Sequence, residues 1–305
     1  MSQPITTAVL PVAGWGTRFL PVTKAVPKEM LPIVDRPCIA YVVAEAVASG
    51  IEHIVLVTAR GKTAMEDYFD RSPALELALE AAGKSDLLAE VRAIARQASI
   101  ISVRQHEQRG LGHAVLQAAP VVGENDFCVM LPDDIVDGRV WREEGGALHR
   151  LPSGDVPALG QLLAARRETG GVVVALKEVP RADTRRYGIC AGDWVSPGRM
   201  KVDRMVEKPK PEEAPSNFSI VGRYVLPGSI FELLRAQAPG AIGEIQLTDA
   251  LAVYAGRGEA HGVVFSGAHF DTGNPVGLLA ANLHYALRHP AFGEAAAIAV
   301  RRSLP

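Results

Sequence analysis

The strongest constraint on this chain is a set of short hydrophobic runs that do not alternate with polar residues. Residues 7–12, 53–58, 100–104 and 127–131 are dense in aliphatic and β-branched side chains and are bounded by turn residues. A strand with one wet face alternates at every second residue, so an unbroken run of strand length marks a strand covered on both faces. Between the runs lie helix-like stretches at 39–48, at 73–95 with a break near Gly83, and at 111–119. Strand, helix, strand repetition demands right-handed crossovers and a largely parallel sheet, so the first half is expected to be a doubly wound α/β domain. In the second half, runs at 172–179, 187–190, 201–207 and 218–226 precede helical stretches at 230–236 and 245–255. Strands that follow strands predict antiparallel additions to the same sheet. The Pro- and Gly-rich stretches 145–157 and 207–215 are read as loops, and a last helix is expected near 275–288, followed by an Ala-rich tail.

With 305 residues the chain has room for one large domain or two smaller ones. The 32 Lys and Arg nearly balance the 34 Asp and Glu, a net charge of -2, which excludes nucleic-acid binding through bulk charge and makes any anion site a local one. Mean hydropathy is +0.11, yet no run approaches the ~18 apolar residues of a membrane span. The chain carries no Lys or Arg before Arg18, so it lacks the basic start of a secretory signal, and a cytoplasmic location is expected. Cys38, Cys128 and Cys190 are far apart with no CxxC, which suits reduced, buried thiols.

Directly after the first run comes Ala13-Gly14-Trp15-Gly16-Thr17-Arg18, where open α/β sheets bind ligands. Gly14 and Gly16 let backbone amides approach a phosphate, and Arg18 adds a fork of donors. A dinucleotide fingerprint needs a third glycine, but that position is Phe19, which argues against a hydride-transfer enzyme. Gly61-Lys62-Thr63 resembles the end of a P-loop, but the first glycine is replaced by Leu56, so an ordinary helix start is the better reading. Leu131-Pro132-Asp133-Asp134 ends a buried run with carboxylates able to hold magnesium, and Asp271 in His269-Phe270-Asp271-Thr272-Gly273 is a second candidate. Val206-Glu207-Lys208-Pro209 sets a carboxylate beside an ammonium at a strand end. The pleat predicts that the two point to opposite faces and do not pair with one another.

Taken in order with Pro27-Lys28-Glu29-Met30-Leu31-Pro32, Gly110-Leu111-Gly112-His113-Ala114, Gly222-Arg223-Tyr224-Val225 and Glu244-Ile245-Gln246-Leu247-Thr248-Asp249, these segments resemble the bacterial UTP:glucose-1-phosphate uridylyltransferase family across roughly residues 5 to 290. The resemblance implies a Rossmann-like nucleotidyltransferase fold in one domain over 5–290 with a C-terminal tail at 291–305, Mg2+ dependence, and a homodimer or homotetramer. By that resemblance Ala13, Gly14, Gly16, Thr17 and Arg18 form the triphosphate-binding segment, with Lys28 a phosphate contact. Glu29, Gln105 and Gly112 match uracil-recognising positions, Asp133 and Asp271 the magnesium ligands with Asp134 as their neighbour, and Gly188, Glu207 and Gly222 the sugar pocket. Lys208 matches the group that holds the phosphates being joined. Trp141 and Glu143-Glu144-Gly145-Gly146, within 137–159, match no family pattern.

The implied reaction joins UTP and glucose 1-phosphate into UDP-glucose and pyrophosphate, which needs positioning and charge neutralisation rather than a Ser-His-Asp or Cys-His nucleophile. A relative using dTTP, CTP or another sugar phosphate would share most of these features. A silent nucleotide-sugar sensor is expected to lose a charged group, but Arg18, Lys28, Asp133, Lys208 and Asp271 are all present. For base choice, Glu29 is expected to accept one hydrogen of the Gln105 amide and so orient it toward uracil.

Overall fold

The structure, a computed structural model, describes residues 4–144, 147–151, 156–240 and 243–304. Its centre is a nine-stranded mixed sheet built from β1 (Thr7–Pro11), β2 (His53–Thr58), β3 (Ser99–Arg104), β4 (Phe127–Met130), β5 (Val172–Glu178), β6 (Gly188–Ser196), β7 (Arg199–Glu207), β8 (Phe218–Leu226) and β9 (Ala260–Val264). The spatial order is β5-β9-β7-β6-β8-β4-β1-β2-β3. The strands β3, β2, β1 and β4 are parallel, as the first half of the sequence predicts. Antiparallel β8 then joins β4 through Arg223 to Leu226, while Phe218 and Ser219 pair with β6 on that same edge and β5 runs along the other from Phe218 to Val225. The additions expected in the second half are therefore there, and their pairings run from β8 through β5, β9, β7 and β6 back to β8.

The unbroken hydrophobic runs are explained by helices on both faces. Val9, Val55, Val57 and Val129 face one core, which also holds residues of helices Leu111–Leu116, Ile230–Ala236 and Leu247–Gly256. Their neighbours Ala8, Leu10, Ile54, Leu56 and Met130 face the other, with residues of Cys38–Ala48, Ala158–Thr169 and Pro275–Leu287. From β1 the chain moves outward to β2 and β3, then returns across β1 to β4. The carboxyl ends of β1 and β4 thus flank the point where strand order reverses, the usual ligand crevice of an open α/β sheet.

Three sequence expectations need correction. Within the stretch read as a loop at 145–157, Ala147–Leu151 is a strand paired with Val140–Glu144, the strand that contains Trp141, Glu143 and Glu144; Gly145, Gly146 and residues 152–155 lie outside the described residues. The run at 187–190 continues to Ser196, because pairing with β7 sustains the strand past Gly192 and Asp193, where its hydrophobic signal stops. The Ala-rich tail contains a helix, Gly293–Ser303, packed on Pro275–Leu287. The three cysteines are free and buried. Among the described residues no helix is long and apolar enough to cross a membrane.

One buried ion pair ties both halves together. Arg223 of β8 is fully buried and donates to Glu45 of helix Cys38–Ala48 at 2.7 Å, and also to the carbonyls of Leu131, Gly222 and Asp134. Glu45 accepts in addition from the backbone of Leu159 at 3.0 Å. Arg223→Met keeps much of the volume but strands the Glu45 charge and three carbonyls, and is expected to lower stability by about 3–5 kcal/mol, read from the urea midpoint. A midpoint within error of the wild type would show that the pair contributes nothing net.

Candidate active site

The glycine loop leaves β1 and folds back on the segment that follows it. Gly16 has φ +66°, the left-handed region that glycine enters without cost, and a Cβ there would sit 3.1 Å from both Lys28 Cβ and Thr23 Cγ2. The Thr23 hydroxyl donates to the Gly16 carbonyl at 2.8 Å. Gly14 has open space where a side chain would project, and Trp15 between the two glycines is 73% exposed. Arg18 donates through Nη1 to the carbonyl of Gly273 at 3.2 Å, which draws the loop toward the segment carrying Asp271.

That segment forms a short ribbon, Ala268–Asp271 against Asp134–Asp137, with Asp271 opposite Asp134. Thr272 donates from its backbone and its hydroxyl to the Asp133 carbonyl, at 2.7 and 2.9 Å. A Cβ on Gly273 would lie 2.6 Å from Asp133 Oδ2 and 3.0 Å from Asp271 Oδ1, so the two carboxylates face a common point. This cradle of hard oxygens suits a magnesium ion that keeps phosphate and water oxygens for its remaining positions. Among the described residues no group of three or more His, Cys, Asp or Glu is placed to hold a metal. Asp134, the neighbour of Asp133, is engaged by a histidine: its Oδ1 is bound to His269 Nε2 at 2.7 Å.

Lys28 donates to Asp133 Oδ2 at 2.5 Å. Burial opposes the Lys28 charge, but Asp133 and then Glu29 outweigh it and raise its pKa; burial also opposes the Asp133 charge, and Lys28 outweighs it and lowers that pKa. Both groups are therefore held in their charged forms.

A cavity of about 500 Å³ opens beside this pair. It gathers Arg18, Asp133, Asp271, Gly188, Glu207 and Lys208 from five separate stretches of sequence. Gly222 lies beneath it, where a Cβ would collide with Asp134 Oδ2 and Leu131 Cβ, so close approach alone requires glycine there. The expectation that Glu207 and Lys208 do not pair is wrong. Lys208 Nζ lies 3.4 Å from Glu207 Oε1, because Lys208 has left the strand with φ +45° and the pleat no longer separates the side chains. Glu207 is held from its other oxygen by Thr248 Oγ1 at 2.6 Å. Thr248 and Gln246 belong to the motif at 244–249, to which the sequence assigned no task, and both line the cavity. Arg186, 3.1 Å from Asp271 Oδ2, also lines it and went unrecognised, since nothing in its local sequence distinguishes it.

The residues assigned to the base sit deeper and do not line this cavity. Glu29 is buried at the foot of the glycine loop, and its Oε2 accepts from Lys62 at 3.1 Å. Lys62 also donates to the Val12 carbonyl at 2.6 Å, so the residue of the incomplete P-loop pattern braces the loop after β1 instead. Burial raises the Glu29 pKa against the pull of Lys62 and Lys28, and burial lowers that of Lys62, so both shifts run toward neutrality. Glu29 Oε1 is buried with no hydrogen-bond partner. The expected bond from Gln105 to Glu29 is not made, because Gln105 Nε2 instead lies 2.9 Å from His113 Nδ1. Gly112 commits its N–H to the Ile245 carbonyl at 2.8 Å, and a Cβ there would lie 2.8 Å from that same oxygen, so its glycine serves packing. The Ala13 carbonyl accepts from Gln108 at 2.6 Å.

A glycine loop after the first strand, two converging carboxylates and the cations set around them at the switch point of a doubly wound sheet define a nucleotidyltransferase. Residues 7–288 match the nucleotidyl transferase family model. The chain is 44% identical over 292 residues to a UTP–glucose-1-phosphate uridylyltransferase of Staphylococcus epidermidis, covering 96% of each. It is similar in structure to UTP-bound UGPase from Acinetobacter baumannii, with TM-score 0.85 and 42% identity over 98% of this chain and all of that one. A UDP-glucose pyrophosphorylase complexed with UDP-glucose superposes with TM-score 0.81 at 37% identity, covering 93% of this chain and 100% of the other. The chain belongs to the nucleotidyl transferase family, among its UTP–glucose-1-phosphate uridylyltransferases.

Proposed function

We propose that this protein forms UDP-glucose and pyrophosphate from UTP and glucose 1-phosphate, by in-line attack of the sugar phosphate on the α-phosphorus. The observation that carries this reading is the single cavity in which Arg18, Lys208 and the converging Asp133 and Asp271 surround one space. A phosphate monoester has a second pKa of about 6, so the nucleophile is already largely a dianion at neutral pH and the site needs no general base. What it must supply is closeness of two anions and relief of their repulsion. Lys208 meets the phosphates being joined, Arg18 and Lys28 take charge on the triphosphate, and Gly14, Gly16 and Thr17 offer backbone donors along it. Glu207, fixed by Thr248, accepts from sugar hydroxyls in a pocket that Gly188 and Gly222 leave open.

Enzymes of this family generally use a divalent metal. In this chain Asp133 and Asp271 would hold magnesium, which when bound neutralises phosphate oxygens. Asp271→Asn is expected to raise the magnesium concentration for half-maximal activity several-fold, since one charged ligand is lost; an unchanged titration would remove Asp271 from the metal site. The catalytic unit spans 5–290 with 291–305 as its tail, acts in the cytoplasm, and assembles as a homodimer or homotetramer.

The test is pyrophosphate release from four nucleoside triphosphates against a panel of sugar 1-phosphates with magnesium, together with the reverse reaction. UTP with glucose 1-phosphate is expected to give the highest kcat/KM. A higher value for dTTP or CTP, or no product in either direction, would overturn the reading.

A further inference from the structure

We infer that His113 sets which end of the Gln105 amide faces the nucleotide, and so makes the site select uracil over cytosine. This rests on the proposal that Gln105 reads the base. Gln105 is only 5% exposed, and its backbone N–H is fixed to the Thr58 carbonyl at 2.9 Å. The two ends of an amide have nearly the same shape and opposite hydrogen-bonding character, so a neighbour must decide between them. That neighbour is His113, whose Nδ1 lies 2.9 Å from Gln105 Nε2 and whose helix is pinned at its start by the Gly112 bond to Ile245. A lone pair on Nδ1 requires the NH2 end; a proton there requires the carbonyl end.

The surroundings of the ring favour its neutral form. Burial lowers its pKa most, Arg109 lowers it further, and Glu107 acts weakly the other way. Both charged groups lie before helix Leu111–Leu116. That helix packs on β1 and on helices Ile230–Ala236 and Leu247–Gly256, and no charged group from these is among those acting on the ring. Gln117 donates to the His113 carbonyl at 3.2 Å and reaches ring Nε2 only at 3.3 Å. A neutral ring has one accepting nitrogen, and the shorter contact assigns it to Nδ1; the ring proton is then on Nε2, and Gln117 gives its hydrogen to the His113 carbonyl and not to the ring. With one amide hydrogen given to the ring, Gln105 presents to a base its carbonyl beside its second N–H. Uracil, with an N3 donor beside an O4 acceptor, matches this edge. Cytosine reverses both, and would turn the Gln105 carbonyl against the Nδ1 lone pair. Protonation of the ring inverts the preference, so selectivity is expected to fall as pH falls.

The experiment measures kcat/KM for UTP and CTP with glucose 1-phosphate at about pH 8 in the wild type, His113→Leu and Gln105→Leu, and follows the ratio in the first two down to about pH 5.5. The ratio cancels protonation of the triphosphate, which both substrates share. His113→Leu is expected to narrow the UTP-to-CTP ratio at least about fivefold, the smaller end of leaving one buried group unpaired. The wild-type ratio is expected to fall with pH, and that of His113→Leu to stay flat. A wild-type ratio independent of pH, or a ratio in His113→Leu within about twofold of the wild type, overturns the role of His113 when Gln105→Leu still collapses discrimination. If Gln105→Leu leaves the ratio intact as well, Gln105 does not read the base, and the underlying assignment fails with it. The wild-type pH profile keeps the test decisive should a variant not fold.

Discussion

Lys208→Ala is expected to lower kcat by at least about a hundredfold with a much smaller change in UTP affinity, the pattern of a group whose contact forms mainly in the transition state. Lys208 stands just past β7 in the left-handed region, with its backbone N–H donating to the Tyr187 carbonyl at 3.0 Å. A non-glycine residue at positive φ costs roughly 1–2 kcal/mol, a strain with no evident structural return in a side chain that is 48% exposed. What the turn does achieve is to swing the ammonium onto the cavity wall beside Glu207, instead of onto the opposite face of the pleat. An ion pair this exposed adds little to stability, so the variant should melt with the wild type and the loss should appear in turnover alone. Steady-state kinetics with circular dichroism separate the two. Turnover within a few-fold of wild type in a folded variant would show that Lys208 does not meet the reacting phosphates.

That turn also marks where sequence reasoning reaches its limit. The period of two correctly places Glu207 at a strand end, but it cannot announce that the next residue leaves the pleat. The parallel strands were legible because burial on both faces writes itself into unbroken runs such as 53–58, which the structure returns as His53–Thr58. The ribbon that carries Asp271 was not, since Asp134–Asp137 and Ala268–Asp271 are four residues each, too short for a pattern, and lie far apart in the chain. The buried residues of helix Ala158–Thr169 fall at helical spacing, but Gly160 and the Pro- and Gly-rich approach weaken that signal. Strand β9 enters between β5 and β7 and runs parallel to β5, a neighbour fixed by tertiary packing and not by adjacency. Among site residues, glycine and acidic motifs announced themselves. The partners that orient them, Lys62 for Glu29, His113 for Gln105 and Thr248 for Glu207, became visible only when distant segments met.

Asp133→Asn is expected to be the more damaging of the two carboxylate changes, lowering activity at millimolar magnesium by about a hundredfold or more and raising the half-saturating magnesium at least about tenfold, which corresponds to 1.4 kcal/mol. The asymmetry follows from what each carboxylate holds. Asp271 has Arg186 at 3.1 Å, a cation whose side chain is 45% exposed and can be rehydrated when its partner is lost. Asp133 holds Lys28 at 2.5 Å, and Lys28 keeps its charge only because Asp133, and to a lesser extent Glu29, offset its burial. Asparagine at 133 therefore removes a carboxylate from the proposed metal pair and at the same time pulls the Lys28 pKa down, since burial acts on it with one less compensating charge. A second signature follows with a definite sign. Lys28 should begin to lose its proton within the assay range, so the variant's residual activity should decline toward alkaline pH where the wild type holds level. Magnesium titrations of both variants, with pH profiles at saturating metal, read the two effects separately. Equal titrations for Asp133→Asn and the wild type would show that this carboxylate serves Lys28 and not the metal, and a flat alkaline limb would show the reverse.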